Sequence, residues 1–231
     1  LSAKEKDDNT DKMPKTNRWY WGNSFEGAMF STGNVQNLRF GSKLAILRFT
    51  YFINAGSVLN FKVSNGFTAF TGIDIKNIGF IEKMSDSTLK HRTYNVGVPV
   101  GIKLGDIAGH RYFFAGIDIE TPVNYKEKVF TSRNHKSKFN EWFSDRTSTF
   151  MPGIFAGFSV HPGVSFKLEY YLSNFLNPEF TDNGVKPYAG YDVHLMLLSI
   201  GMDINYKKKD RGHHNHTHNS GTRVAMRVPE L

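Results

Sequence analysis

From Phe49 to Val63 every second residue is apolar (Phe49, Tyr51, Ile53, Ala55, Leu59, Phe61 and Val63), with Ser57 the one exception. Thr50, Asn54, Gly56, Asn60 and Lys62 fill most of the alternate register. A period of two describes a strand with one apolar and one polar face. The pattern recurs along the chain and predicts eight strands, the second running from about Ala45 to Val63. Strand one, Trp19 to Ser31, alternates poorly. Ser64-Asn65-Gly66 then closes a tight hairpin into strand three, Phe67 to about Ile81.

Strand four, Thr93 to Leu104, is the most regular. Tyr94, Val96, Val98, Val100, Ile102 and Leu104 oppose Asn95, Gly97, Pro99, Gly101 and Lys103, so a slip of one residue would invert every side chain. Strand five sets Phe113, Ala115, Ile117 and Ile119 against Gly116, Asp118 and Glu120, and strand six sets Phe150, Ile154, Ala156, Phe158 and Val160 against Gly153, Gly157 and Ser159. After His161-Pro162-Gly163, strand seven opposes Val164, Phe166, Leu168, Tyr170 and Leu172 to Ser165, Lys167, Glu169 and Tyr171. Strand eight, about Tyr191 to Tyr206, opposes Met196, Leu198, Ile200, Met202 and Ile204 to Ser199, Gly201, Asp203 and Asn205.

The links alternate in length. Those joining strands two to three, four to five and six to seven are short, and the others are long, as in outer-membrane barrels with short periplasmic turns and longer outer loops. The expected fold is therefore all-β: an eight-stranded antiparallel transmembrane β-barrel over residues 18–206, both termini in the periplasm. A soluble barrel with the apolar face inward is the competing fold, but eight strands cannot enclose that much side-chain volume. The other face suits a narrow lumen. It carries small Gly72, Gly97, Gly101, Gly116, Gly153, Gly157 and Gly201, and a mixed-sign set of Lys62, Asp74, Lys76, Lys103, Asp118, Glu120, Lys167, Glu169 and Asp203. Trp19, Tyr20, Trp21, Tyr112 and Tyr206 are placed in a periplasmic aromatic girdle. Pro99 and Pro152 each remove a ladder donor, so a bulge or strand-end irregularity is expected at both.

Composition agrees where it bears on the fold. Aromatic residues make up 14% of the 231 residues, with 20 Phe, 10 Tyr and 21 Gly, which favours strands and tight turns. No apolar run approaches the ~18 residues of a spanning helix. There is no Cys, hence no disulfide, thiol nucleophile or lipid-bearing thiol. No basic-apolar leader is present, and Leu1 is expected to be a mature end left by cleavage. Residues 1–17 are polar and expected to be disordered, and residues 207–231 form a basic, His-containing tail, both periplasmic. The net charge of +8 is spread over links and tails without a groove motif, so no nucleic-acid partner is expected. Solvated loop charge is one account of it and contact with anionic headgroups the other.

LRFTYFINAGSVLNFKV and FTAFTGIDIKNIGFIEK, followed by RTYNVGVPVGIKLG, FFAGIDIETPVNYKEK and GVKPYAGY, resemble the outer-membrane β-barrels of Bacteroidota, in the broad group of PorT-like and OmpA-like small barrels. The likeness spans about Leu47 to Tyr206. It implies an envelope barrel, with some members acting in protein export, including type IX secretion. It implies no catalytic residue, and the tail beyond Tyr206 departs from the usual ending at the last strand.

Catalysis is not expected. His194 and Ser199, five apart on strand eight, fall on opposite faces, and His161 with Ser165 straddles a turn. The lumen carboxylates sit beside lysines and read as a salt-bridge network before they read as acid-base pairs. In the tail, His213, His214, His216 and His218 could gather Zn, Ni or Cu as a weak, promiscuous site without a rigid frame, and a plain soluble linker is the preferred reading; no cofactor is expected. Arg223 to Leu231, alternating at Val224, Met226 and Val228, could add a strand to a partner. The link 123–148 holds Phe130, Phe139, Trp142 and Phe143, as a docking surface or as a cover over the barrel mouth. The function expected is that of a non-enzymatic accessory or structural subunit of an envelope complex. Its partners would be outer-membrane lipid, and envelope proteins met through the wall, outer loops or tail. A stand-alone lipid- or small-ligand-binding barrel, and after it a lipid-modifying enzyme, are the alternatives.

Overall fold

A computed structural model describes residues 18–37, 41–50, 54–131 and 136–205. Its strands are β1 (Trp19–Asn37), β2 (Gly41–Leu44), β3 (Arg48–Thr50), β4 (Asn54–Lys62), β5 (Phe67–Lys83), β6 (Ser87–Asp106), β7 (Arg111–Thr131), β8 (Lys136–Trp142), β9 (Met151–Val160), β10 (Val164–Tyr171) and β11 (Tyr191–Asn205). All pairings are antiparallel, in the order β11-β10-β9-β7-β6-β5-β4-β1. β1 also pairs with β11 from Gly22↔Asn205 to Asn37↔Tyr191, so the order returns to its start. Since β2, β3 and β4 all lie along β1 as successive pieces, the ring has eight members, with β8 added to β7 beyond it.

Burial follows the alternation. On β6, Asn95, Gly97, Pro99, Gly101 and Lys103 are buried, while Val96, Val98, Val100, Ile102 and Leu104 are 39–48% exposed. Ile73, Ile75, Phe113, Ile117, Ile119, Ile154, Phe158, Leu168, Leu172, Met196, Leu198, Ile200 and Met202 continue this exposed apolar belt around the outside.

The interior is packed in layers. Nearest the short links, Val58, Phe70, Phe114 and Phe155 cluster. Phe70, Phe155 and Phe114 pair in register with Gly101, Gly116 and Gly157, and a Cβ on any of these glycines would lie within 2.4–2.7 Å of the ring opposite. Each ring thus lies over a neighbouring backbone, which only glycine permits. A charged layer follows, and then an apolar one of Ile78, Phe80, Tyr125, Met151, Tyr171, Val193, Leu195 and Leu197. Phe175, Leu176 and Tyr188, from the link before β11, close this last layer. Asn174 anchors the link by donating to the Tyr191 carbonyl (2.7 Å) and accepting from the Val193 amide (2.9 Å).

Several expectations change. β1 runs on to Asn37, β6 starts at Ser87 and β7 continues to Thr131. These ladders outlast the apolar alternation because backbone hydrogen bonds, not side-chain polarity, carry them. The expected 123–148 loop is therefore largely a β7–β8 hairpin, and the mouth is covered by Phe175 and Leu176 instead. A register shift falls between Tyr94 and Asn95, opposite Pro122 and Asn124. The bulged Val123 moves the inward phase of β7 from Asp118 and Glu120 to Tyr125 and Glu127. Pro99 causes no shift, although the β5–β6 ladder skips Gly72/Pro99 and Ile73/Val98. Pro152 lies one residue inside the start of β9. Tyr112 is 2% exposed and faces inward, and the Tyr20 hydroxyl is buried, so neither joins a girdle; Trp19 and Trp21, 52% and 59% exposed, face out. Tyr206 and both tails, with His213, His214, His216, His218 and the 223–231 segment, lie outside the described residues.

Candidate functional site

The charged layer centres on Lys76. Its Nζ donates to Asp118 Oδ2, to Glu120 Oε1 at 2.7 Å and to Glu169 Oε1 at 2.8 Å, and lies 3.5 Å from Asp74 Oδ2. Glu120 also accepts from Asn95 Nδ2 at 2.7 Å and from the Tyr171 hydroxyl at 2.5 Å. Lys167 pairs with Glu26 and stands 3.4 Å from Glu169. Five strands, β1, β5, β6, β7 and β10, contribute to this knot.

Five carboxyl groups thus meet two ammonium groups, and one geometry could suit a metal. Oxygens of Asp118, Glu120 and Glu169 lie within 4.8 Å of one another. The Lys76 ammonium already bonds to all three, so the protein supplies its own cation there. What the layer does chemically is tie strands together through the Lys76 and Lys167 ammonium groups, while Asp74 Oδ1, Asp118 Oδ1 and Glu169 Oε2 are buried without a hydrogen-bond partner. A cavity of about 70 Å³ borders it, lined in part by Glu26, Asp74, Asp118, Lys167 and Ser199. That is far below the several hundred Å³ of a typical small-molecule site.

Three further expected network members are Lys62, Lys103 and Asp203, of which Lys103 lines the same cavity as Asp74 and Asp118. Lys62 is in phase but exposed at the ring's end, and Lys103 packs 5.2 Å from the ring centres of Phe70 and Tyr112, among the aromatic layer. Asp203 pairs by backbone with Ser24. Glu26, Asn95 and Tyr171 are members that sequence reasoning missed. Glu26 stood in the strand of poorest alternation, where the bulge between Glu26 and Ala28 breaks the period.

No catalytic pairing forms among the residues considered. Ser199 is buried inside, while His194 stacks on Tyr170 at 6.0 Å and its Nε2 lies 3.1 Å from Asp192. His161 is exposed at its turn and Ser165 faces inward. At the far end, Trp142 and Phe143 are 65% and 76% exposed. Phe139 contacts Tyr125 and Arg146, and Phe130 lies under Lys90 and Lys136.

No protein-family model and no curated protein matches the chain. Among solved structures it is similar to Ail, the attachment invasion locus protein of Yersinia pestis, at 11% identity over 80% of this chain and 99% of that one, with a TM-score of 0.36. It is also similar to Neisserial surface protein A, at 12% identity over 82% and 98% with a TM-score of 0.43. Outer membrane protein AlkL, solved in lipid bilayers, is 13% identical over 88% and 97% with a TM-score of 0.40. What the chain's own geometry defines is a class: an eight-membered antiparallel ring, apolar outside and packed with ion pairs inside.

Proposed function

We propose that this chain is a bacterial outer-membrane β-barrel that acts as an accessory or structural subunit of an envelope complex, and neither conducts nor catalyses. The observation that carries this reading is an apolar belt around the outside of a ring whose inside is filled. A water-soluble monomer rarely exposes a contiguous apolar surface of this extent, whereas lipid covers it without cost. The alternation of short and long links favours the short links and both tails in the periplasm.

The filled interior bears on the task. Among the described residues, aromatic, charged and apolar layers fill the ring's interior, and the cavity beside Asp74 and Asp118 holds a few waters at most. Work is then left to the wall, the β7–β8 hairpin with Trp142 and Phe143, and the tails. Likeness to Bacteroidota barrels, some of which act in protein export, agrees with a partner-holding role.

Gentle detergent extraction of the tagged protein from native outer membranes, with size analysis and identification of stoichiometric companions, tests this. A large assembly of fixed composition supports the subunit reading. A lone barrel overturns it in favour of a stand-alone binding barrel, and absence from the outer-membrane fraction overturns the location.

A further inference from the structure

Beyond Tyr94 the outward face of the ring changes from apolar to basic. On β6 the outward positions run Leu104, Ile102, Val100, Val98, Val96, Tyr94, Arg92 and Lys90 without a change of phase, since Asn95, Thr93 and His91 stay buried inside. Across the neighbouring strands Lys90 pairs with Lys128 and Lys128 with Lys138; Arg92 pairs with Lys126, and Phe130 with Lys136. Directly paired residues share a face. Ring contacts agree: Lys90 and Lys136 lie 5.0 and 5.4 Å from the Phe130 centroid, and Arg92 and Lys126 lie 5.7 and 5.2 Å from that of Tyr94.

Six cations therefore occupy one face of three adjacent strands. The outward positions of this patch, Thr88 to Tyr94, Asn124 to Phe130 and Lys136 to Trp142 in steps of two, contain no acid. Like charges set directly opposite one another destabilise a sheet. The crowding is felt at Lys128, whose ammonium is pushed below its usual range chiefly by Arg92, with Lys136, Lys138 and Lys90 adding to the effect. A face built this way stands at an electrostatic cost that a multivalent anion would relieve.

We propose that this face binds the phosphate groups of phosphorylated lipids in the surrounding leaflet, their acyl chains lying along the Val96–Leu104 stripe below. The continuity of one strand face favours a membrane lipid over a soluble polyanion. Val96 to Leu104 spans eight residue steps, and Arg92 follows four steps after Val96. At about 3.3 Å per step on a strand tilted near 45°, the cations come just past an apolar band of roughly 20 Å, at headgroup depth. Tyr94, at the junction, is the residue type that favours that depth. The site rests on the membrane reading above, and the leaflet concerned rests on the orientation given there.

The test is titration of the purified full chain, in a neutral detergent, with lipid A bearing two phosphates, with phosphatidylcholine and with soluble polyphosphate, read by native mass spectrometry. Lipid A is expected to bind at least tenfold more tightly than either of the others, with an affinity that falls steeply with added salt. The combined Lys90→Gln, Lys128→Gln and Lys138→Gln variant is expected to lose at least tenfold, and the matching Lys→Arg variant to retain binding. Because these side chains are solvent-facing, a heat-modifiable gel shift like the wild type's confirms that each variant is folded. Equal binding by the Gln variant, or equal binding of phosphatidylcholine, overturns the site; equal binding of polyphosphate overturns the lipid as its occupant. Orientation is read separately, by labelling Ser137→Cys on whole cells with an impermeant reagent. Labelling supports the outer leaflet, and protection overturns that leaflet and the orientation while the phosphate titration still decides the site.

Discussion

Lys76 on β5 and Glu120 on β7 meet at 2.7 Å across the strand that separates them, with both side chains shut from solvent. The ammonium also serves Asp118 and Glu169, so it is the hub of the charged layer. Replacing it leaves several acids facing each other without their cation. Lys76→Met is expected to cost about 3 to 5 kcal/mol, the range for breaking a buried pair from one side. Denaturant unfolding in lipid vesicles measures this, and a loss under 1 kcal/mol would show that the cluster is wet and weakly coupled.

Gly97 lies on β6 between Asp74 and Glu120, its partners on the two neighbouring strands. A Cβ there would come within 2.3 Å of Asp74 Oδ1, 2.9 Å of Asp118 Oδ1 and 3.0 Å of Glu120 Cγ. The crossing of carboxylates over β6 thus needs a bare backbone beneath it. Gly97→Ala is expected to destabilise by about 1 to 3 kcal/mol through overpacking. Gly27, where a Cβ meets nothing within 4 Å, supplies the control, since Gly27→Ala should leave the unfolding midpoint nearly unmoved.

The ring's periodic part was legible because one face had to be apolar throughout, which set the phase of β4, β10 and β11 and of the apolar stretches of β5, β6, β7 and β9. Less legible were features that do not depend on that periodicity. The outer extensions of β6 and β7 carry lysine and threonine on positions that face water, so the polarity that ended the expected strand at Thr93 says nothing about the hydrogen bonds that continue it. The Val123 bulge switches the inward phase of β7, hiding Tyr125 and Glu127 from a strict period of two. In the interior, Asp118, Glu120 and Glu169 could be grouped by face, but only the three-dimensional register shows that Lys76 reaches all three. Phe175 and Leu176 were invisible as a lid because a link has no period to read.

Val98 is 46% exposed in the middle of the β6 apolar stripe. If that stripe meets lipid near the midplane, Val98→Arg should lower stability by about 2 to 4 kcal/mol in vesicles. Refolding yield and denaturant midpoint report it. A tolerated arginine would remove the belt from the hydrocarbon.

His91 sits on β6 past Tyr94, beyond the apolar belt, yet is only 2% exposed. Its ring stacks on Phe80 at 4.8 Å, its Nδ1 lies 2.8 Å from the Tyr125 hydroxyl, and that hydroxyl donates to Glu127 Oε2 at 2.7 Å. A phenol that spends its proton on Glu127 must accept from Nδ1–H, which makes His91 the neutral Nδ1–H tautomer. Burial holds its pKa down to about 4, with Glu127 opposing only in part. The unfolded chain takes up the proton near pH 6.5 and the folded chain only near 4, so the stability His91 contributes is intact above about pH 6.5 and is lost as pH falls towards 4. The difference amounts to about 3 kcal/mol. His91→Phe, which keeps the stack on Phe80, removes this titration. Between pH 7 and 4.5 the wild-type unfolding midpoint should therefore fall more steeply than the variant's, and parallel pH profiles would show that folding does not hold the His91 proton affinity down.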